Sequence, residues 1–348
     1  MTHLAPIRFP WEVPPEHGSA VEVAEGVLWF RLPLPMALDH VNIYALDDGD
    51  SWTLVDTGLD TPESREILQG LLAGPLAGKP LRRVLLTHHH PDHCGLAGWL
   101  QETRDAELVT SRTAWLMARM LLLDEQERPA PAALTFWRRA GMDPAILAER
   151  EAERPFNFID AVHPIPVGYT RLQEGDTFCA AGRTWDVRVG HGHAPEHLTF
   201  WSREDPLVLG GDQLLPSISP NIGVHPTEPE ADPLGEWMES TERLAAFAQD
   251  DQLVLCGHNM PFTGLPIRLH QMAENHVSAL ARLTDHLAEP KRAVECFPVL
   301  FRRRINKGTY GLALVEAVAH LNYLYKRGQV TRILGKDGAW LWRAQTEE

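Results

Sequence analysis

The stretch from Thr87 to Gly95 constrains this chain more than any other, because four histidines and one aspartate fall within six of its positions. An apolar run at residues 83–87 precedes it and predicts a buried strand. Residues 95–100 follow and predict the first turn of a helix. The cluster is therefore expected in a loop at a strand end, where α/β proteins place binding and catalytic residues.

The spacing within this stretch favours metal binding. His88 and His90 are two residues apart, so on an extended chain their rings point to the same side. Asp92 and His93 follow after a turn set by Pro91. Imidazole and carboxylate groups suit zinc, and also iron or manganese. Each half of the stretch can begin a separate metal site, whereas a surface histidine tract would have neither the fixed aspartate nor the buried strand.

The pattern H-x-H-x-D-H after a buried strand resembles the metallo-β-lactamase superfamily. Further stretches resemble other motifs of that family in their order: L-V-D-T-G at 54–58, G-H-x-x-x-H at 192–197, G-G-D at 210–212 and C-G-H-N at 256–259. The resemblance covers about residues 20–265. It implies an α/β (α+β) fold, an αββα sandwich of two facing sheets with helices outside, which the order of predicted strands and helices also favours.

The resemblance also implies a dinuclear site. Two divalent metal ions are expected, zinc first, with iron or manganese as alternatives. Their ligands would be His88, His90 and His193 for one ion and Asp92, His93 and His258 for the other. Asp212 would bridge the ions. A hydroxide that both ions share would attack a carbonyl carbon or a phosphorus, with Asp92 orienting it, so Asp92 and Asp212 are the predicted catalytic carboxylates.

Other polar residues near these motifs are predicted to support the ligands. Asp56 is expected to hold a ligand imidazole. The family's spacing selects His193 rather than His191 as the ligand and leaves His191 and His197 as hydrogen-bonding neighbours or pocket residues. His40 matches no motif, so packing or a surface position is expected for it.

Residues 112–165 interrupt the sandwich pattern with predicted helices rich in bulky apolar groups, among them Trp115, Met120 and Trp137. Two interpretations stay open. The helices can pack against the sheet or against a second subunit in a homodimer, or they can form a lid over an apolar substrate pocket. In the loop after Asp212, Ser219 or Asn221 is a candidate to bind a polar substrate group, although the Ser-Pro-Asn sequence also favours a turn.

The chain divides by prediction into an extended arm at 1–19, a catalytic domain at 20–265 that includes the 112–165 insertion, and a small helical domain at 266–348. A helix followed by a hairpin with an Asp337-Gly338 turn makes this tail resemble the winged helix of some superfamily members. Its 13 Lys+Arg against 8 Asp+Glu, with Arg302–Arg304 in a run, permit DNA binding, but a structural or dimerisation role is favoured.

Residues before 266 carry a net charge of −20 and residues 266–348 carry +5, so the acidic catalytic part argues against a nucleic-acid substrate. No apolar run reaches membrane-spanning length and no export signal is evident, which favours the cytoplasm. The four scattered cysteines make a disulfide framework improbable.

The leading functional hypothesis is a dinuclear metallo-hydrolase of an acyl thioester or ester, in the branch of hydroxyacylglutathione hydrolases, lactonases and thioesterases. The apolar insertion suits an acyl chain. The alternatives are a nuclease or phosphodiesterase, a lactonase, a β-lactamase, and a non-catalytic metal sensor, against which the complete ligand set argues.

Overall fold

The structure, a computed structural model, describes residues 5–301 and 304–345. Residues 1–4 of the predicted arm, together with Arg302 and Arg303, therefore lie outside the described residues. The chain forms two compact units. The first comprises residues 1–125, 157–220 and 243–269, and the second comprises 126–156, 221–242 and 270–348.

The first unit contains a seven-stranded sheet in which the strands follow one another in chain order. Its strands are β1 (Val21–Ala24), β2 (Val27–Pro33), β3 (His40–Asp47), β4 (Trp52–Val55), β5 (Leu81–Leu85), β6 (Glu107–Thr110) and β7 (Thr170–Arg171). β1 to β4 are antiparallel neighbours, whereas β4 to β7 run parallel. Among the helices that connect the parallel strands, the first unit contains α1 (Pro62–Ala73), α2 (Pro91–Cys94), α3 (Ala97–Arg104) and α4 (Arg112–Leu123).

A five-stranded sheet completes the first unit. Its strands are β8 (Thr177–Ala180), β9 (Arg183–Gly190), β10 (His197–Ser202), β11 (Leu207–Gly211) and β12 (Leu253–Cys256). One core cluster joins the two sheets and includes the fully buried Trp29 of β2 and Trp185 of β9. A second cluster packs Leu68 of α1 and Leu100 of α3 on the other face of the larger sheet. Successive residues of β2 join opposite faces, with Trp29 in the cluster between the sheets and Phe30 in the cluster under the helices. The sheets therefore face each other with helices outside, as predicted.

The second unit is helical with one hairpin. Its elements are α5 (Pro131–Arg139), α6 (Pro144–Ala152), α9 (Phe297–Leu300), α10 (Tyr310–Lys326), β13 (Val330–Leu334) and β14 (Trp340–Ala344). Two further helices of the chain are α7 (Pro233–Ala245) and α8 (Leu265–His286), and 3-10 turns span Phe158–Asp160 and Ala293–Cys296. The predicted helix over 310–326 and the hairpin are both present.

The units divide the chain differently from the sequence-based boundaries. The predicted insertion 112–165 is not one element, because α4 belongs to the first unit and α5 and α6 belong to the second. α5 and α6 are held within the second unit, where Arg139 of α5 lies over the ring of Trp340 in β14. Among the described residues, no helix combines the length and apolar character that crossing a membrane requires.

Candidate metal centre

The polar residues from His88 to His93 lie directly after the end of a strand. β5 ends at Leu85, and the chain then runs through Thr87 and His88 into the short helix α2. His88 and His93 are fully buried, although both are polar. Buried imidazoles need partners, so their neighbours decide what this loop does.

The first donor group consists of His88, His90 and His193, whose ring nitrogens converge. The Nε2 atom of His88 lies 3.0 Å from Nδ1 of His90. The same Nδ1 atom lies 3.0 Å from Nε2 of His193, which the loop after β9 supplies. The loops after strands of both sheets therefore meet at this point.

The second donor group consists of Asp92, His93 and His258. Oδ2 of Asp92 is 3.3 Å from Nε2 of His258 and 3.5 Å from Nε2 of His93. His258 follows β12, so residues about 165 positions apart in the chain form one cluster.

Asp212 lies within reach of both donor groups. Its Oδ2 atom is 3.5 Å from Nε2 of His193 and 3.2 Å from Nε2 of His258, and its Oδ1 atom is 3.4 Å from Nε2 of His93. A Cβ at Gly257 would collide with this Oδ1 atom, so only glycine leaves space for the carboxylate there. Asp212 is thus placed between the two groups.

Hydrogen bonds on the far side of the rings fix which nitrogen faces the centre. Nδ1 of His93 donates to Oδ2 of Asp56 at 2.8 Å. The Asp56 carboxylate also accepts the backbone N–H and the hydroxyl of Thr87, each at 2.8 Å. Asp56 holds these contacts from a left-handed backbone with φ of 61°, which is unusual for a residue with a side chain. Asp56 therefore holds the imidazole of His93, and the role of that ring as a metal ligand stays a prediction.

His258 is fixed from the larger sheet. Its Nδ1 atom donates to the carbonyl of His40 at 2.8 Å, which leaves Nε2 for the centre. The ring of His40 accepts the backbone N–H of Asn259 through Nε2 at 2.9 Å. The expectation of a packing or surface role for His40 was therefore incomplete, because no motif signals a contact with a residue so distant in sequence.

Asn42 and Arg31 extend this support. The Asn42 amide donates to the carbonyls of Cys256 and Asn259 at 2.9 and 2.8 Å. Nε of Arg31 donates to Oδ1 of Asn42, and its Nη2 donates to the Asn259 carbonyl. Arg31 is only 8% exposed, and burial lowers its pKa. Burial of a cation costs desolvation free energy, which its hydrogen bonds must offset. The contacts of Arg31 therefore help to hold the 256–259 loop in place.

The remaining histidines of the second motif support neighbouring backbone. Nε2 of His197 accepts the N–H of Asp212 at 3.1 Å. Burial, with the nearby His193, lowers the pKa of His197 to about 3, so the ring is a neutral acceptor. Nδ1 of His191 accepts the N–H of Glu196 at 3.3 Å, and the Glu196 carboxylate accepts the N–H of Thr113 in α4.

Two histidines of the first donor group are held neutral, whereas the second donor group favours positive charge. Burial, followed by neighbouring imidazoles, lowers the pKa of His88 and His90 well below the usual value. Burial also opposes protonation of His258, but Asp212 and Asp92 outweigh it and raise its pKa to about 10. The carboxylates thus favour positive charge at this point, and a divalent cation can supply it.

The donor set fits divalent ions. Nitrogen ligands at 2.0–2.1 Å from a tetrahedral zinc ion stand roughly 3.3 Å apart. Two donor pairs in each group are 3.0 to 3.5 Å apart, and all donor atoms of a group lie within 4.8 Å of one another. Nε2 of His93 and Oδ1 of Asp212 are buried without a hydrogen-bond partner among the described residues. Two such atoms facing one space indicate a ligand site, because unsatisfied buried groups are costly.

The predicted substrate residues are divided between the two units. Trp115 stacks on Tyr169 with ring centroids 4.8 Å apart, while Met120 lies exposed on the same helix, α4. Trp137 belongs to the second unit, where Arg150 lies over its ring. Ser219 is exposed in the loop after Asp212. The Asn221 amide donates to the Leu312 carbonyl and to Glu316, so it is engaged by α10.

Comparison with known families shows which family the chain belongs to. The family described as the metallo-beta-lactamase superfamily matches residues 36–258, which contain every donor residue named above. The chain belongs to the metallo-β-lactamase superfamily. A second family, described as the metallo-beta-lactamase-like C-terminal domain, matches residues 280–345. The resemblance of this tail to a winged helix stays a prediction.

Known relatives agree with this assignment. A β-lactamase domain protein from Burkholderia ambifaria is 35% identical, with 97% of this chain and 98% of that one aligned at a TM-score of 0.90. The probable metallo-hydrolase YqjP of Bacillus subtilis is 27% identical over 323 residues, 88% of this chain and 94% of the relative. A hydroxyacylglutathione hydrolase of Hydrogenovibrio crunogenus is 25% identical over 254 residues, 72% of this chain and 69% of the relative. The chain is accordingly a metallo-hydrolase of this superfamily with a His/Asp cluster that can hold metal.

Proposed function

We propose that this metallo-β-lactamase superfamily member is a dinuclear hydrolase that cleaves acyl esters or thioesters. The observation that carries the proposal is the position of Asp212, whose carboxylate lies within 3.5 Å of His193 in one donor group and of His93 and His258 in the other. A carboxylate between two groups of nitrogen ligands suits a pair of divalent ions.

One ion would be held by His88, His90 and His193, and a second by Asp92, His93 and His258, with Asp212 shared. Five imidazoles and two carboxylates favour zinc, with iron and manganese as alternatives. When bound, such ions lower the pKa of water to supply a nucleophile and polarise the substrate's oxygen.

The chain's own groups would orient the reaction. The Asp92 carboxylate is 21% exposed, whereas that of Asp212 is 7% exposed. Asp92 is therefore the more accessible acceptor for a proton of the attacking water. Asp56 and the His40 carbonyl hold the rings of His93 and His258 from behind, so the donor atoms need not reorganise when substrate enters.

Two observations support an acyl substrate. One relative is described as a hydrolase of hydroxyacylglutathione. In addition, α4 exposes an apolar stripe at helical spacing, with Leu116 51%, Met120 42% and Leu123 78% exposed. The first turn of α4 is bound to Glu196, which lies three residues after His193. An acyl chain that leaves the centre along α4 would cover this stripe.

The experiment is to measure bound metal and turnover on one preparation. Metal content is determined by elemental analysis after loading with zinc, manganese or iron. The loaded protein is then assayed with acyl thioesters, esters, a lactone, a phosphodiester and a β-lactam. The proposal expects two ions per chain and fastest turnover of a thioester or ester.

Two controls sharpen this measurement. The chelated protein should be inactive and regain activity with metal. Asp50→Ala removes an exposed carboxylate far from the donor groups in sequence and should behave as the parent. Turnover of the phosphodiester alone, or one ion at saturation, would contradict the proposal.

A further inference from the structure

The second unit contains a pocket of about 340 Å³, and all of its lining residues belong to that unit. Phe136 of α5 and the hairpin residues Trp340 and Trp342 give it aromatic walls. Three prolines and Val318 add apolar surface. This volume and lining are typical of pockets for small molecules.

The charges in the pocket leave one positive charge in surplus. Arg332 donates through Nη2 to both carboxylate oxygens of Glu230 at 2.8 Å, so these two charges offset each other. Arg139 also lines the pocket, with its guanidinium 5.4 Å from the ring centroid of Trp340. Among the described residues it has no carboxylate partner. A local positive charge on a chain of net charge −15 favours an anionic ligand.

The same lining contains an acceptor and a donor without partners. Asn322 is 1% exposed, and its amide nitrogen donates to the carbonyls of Pro229 and Ala231. Its Oδ1 atom, and Nε1 of the 2% exposed Trp342, have no hydrogen-bond partner among the described residues. Buried groups of this kind cost about 1–3 kcal/mol each. Neither atom is accessible from the pocket, so the recognition of a ligand rests on the aromatic walls and on Arg139.

We propose that this pocket binds a planar aromatic molecule that carries an anionic substituent. The aromatic walls fit the ring, and Arg139 fits the anion. Purine nucleotides and indole carboxylates share this chemistry. The pocket is independent of the metal centre, so the proposal holds whether or not the hydrolase proposal does.

Titration calorimetry of the full chain with adenosine monophosphate and with indole-3-acetate tests the proposal and separates the two sources. Saturable binding of either probe is expected at one site per chain. Two comparison probes isolate the parts of the ligand: ribose 5-phosphate carries the anion without the ring, and indole carries the ring without the anion. Each should bind at least tenfold more weakly than the corresponding complete probe.

Variants place the binding in this pocket. Ala132→Trp, at an exposed position of α5 in the lining, should fill the pocket and abolish binding. Arg139→Gln should weaken both anionic probes at least tenfold while leaving the affinity for indole unchanged. Glu274→Trp, at an exposed position of α8 outside the lining, is the matched control and should bind as the parent. Failure of the parent to bind either probe, or parental binding by Ala132→Trp and Arg139→Gln, would overturn the proposal.

Discussion

Nδ1 of His258 donates to the carbonyl of His40 at 2.8 Å, although 218 residues separate them in the chain. The contact ties the last donor residue, in the loop after β12, to the first residue of β3. Asn42 lies two positions further along β3 and binds the carbonyls on either side of His258. The larger sheet therefore positions a donor residue that the smaller sheet supplies.

Asn42→Ala tests this support. Without the amide, the carbonyls of Cys256 and Asn259 lose a donor and the loop that carries His258 can shift. We expect the second ion to be lost or weakened tenfold to a hundredfold, as for other partners of metal ligands, while the first ion stays bound. Elemental analysis and the visible spectrum of the cobalt-substituted protein measure this. An exposed counterpart, Asn306→Ala, should have no effect, and a two-ion Asn42→Ala protein with the parental spectrum would refute the assignment.

Asp212→Ala should remove turnover while the fold persists. The carboxylate is within 3.5 Å of three imidazoles, so its loss removes the group that relates the two halves of the centre. We expect a fall of at least a thousandfold in kcat and fewer than two ions per chain. Circular dichroism confirms folding, and substantial activity in a folded variant would show that the bridge is misassigned.

His191 and His193 provide a matched pair. The ring of His193 lies in the first donor group, whereas His191 accepts the N–H of Glu196 within the same loop. His193→Ala should therefore release one ion. His191→Ala should keep both ions and lower activity modestly, on the order of tenfold to a hundredfold. The opposite order of metal contents would mean that the motif is aligned wrongly.

Sequence spacing predicted the parts of the centre that are local. The residues from His88 to His93, and the order of the later motifs, indicated the donors because short spacing fixes which side chains can converge. Arg31, His40 and Asn42 could not be found in this way. Their roles arise only when β2 and β3 meet the loop after β12, and no local sequence pattern reveals that contact.

The predicted insertion at 112–165 shows a second limit of prediction from sequence. Apolar density over 112–165 predicted helices, which are present, but it could not say what each helix packs against. α4 stays with the sheets through Glu196 and the stacking of Trp115 on Tyr169. α5 and α6 belong to the second unit. Periodicity describes the face that a helix buries, whereas the partner depends on tertiary structure.

The dependence of kcat/KM on the length of the acyl chain should therefore be determined by α4. If the acyl group covers Leu116 and Met120, each methylene buried adds up to about 0.8 kcal/mol, and kcat/KM should rise with chain length until the stripe is covered. Met120→Gln should flatten this rise without loss of metal. Trp137→Ala, in the second unit, becomes the control and should keep the parental slope. If the parent shows no chain-length preference, or if kcat/KM rises equally with chain length in both variants, α4 has a role in packing or dimerisation instead of substrate binding.

The stability of the second unit should depend on pH through His276 and His320. Nδ1 of His320 donates to the Glu316 carbonyl at 2.8 Å, so its Nε2 accepts from Nδ1 of His276 at 3.3 Å. Nε2 of His276 is then buried without a partner among the described residues. Burial, together with His320, lowers the pKa of His276 to about 3, and burial lowers that of His320 to about 4.

Because both values are lowered, the unfolded chain binds more protons than the folded one as pH falls below about 6.5. The stability is therefore fully present above that pH and is lost on acidification towards the folded pKa values. At pH 5 the cost from His276 alone should be about 2 kcal/mol, from 1.36 kcal/mol per pKa unit. Urea unfolding of the parent, of His276→Leu and of the exposed control His270→Gln at pH 7.5 and pH 5 measures this. His276→Leu should lose less stability than the parent on acidification, the control should match the parent, and identical losses in all three would show that the buried pair does not set the pH dependence.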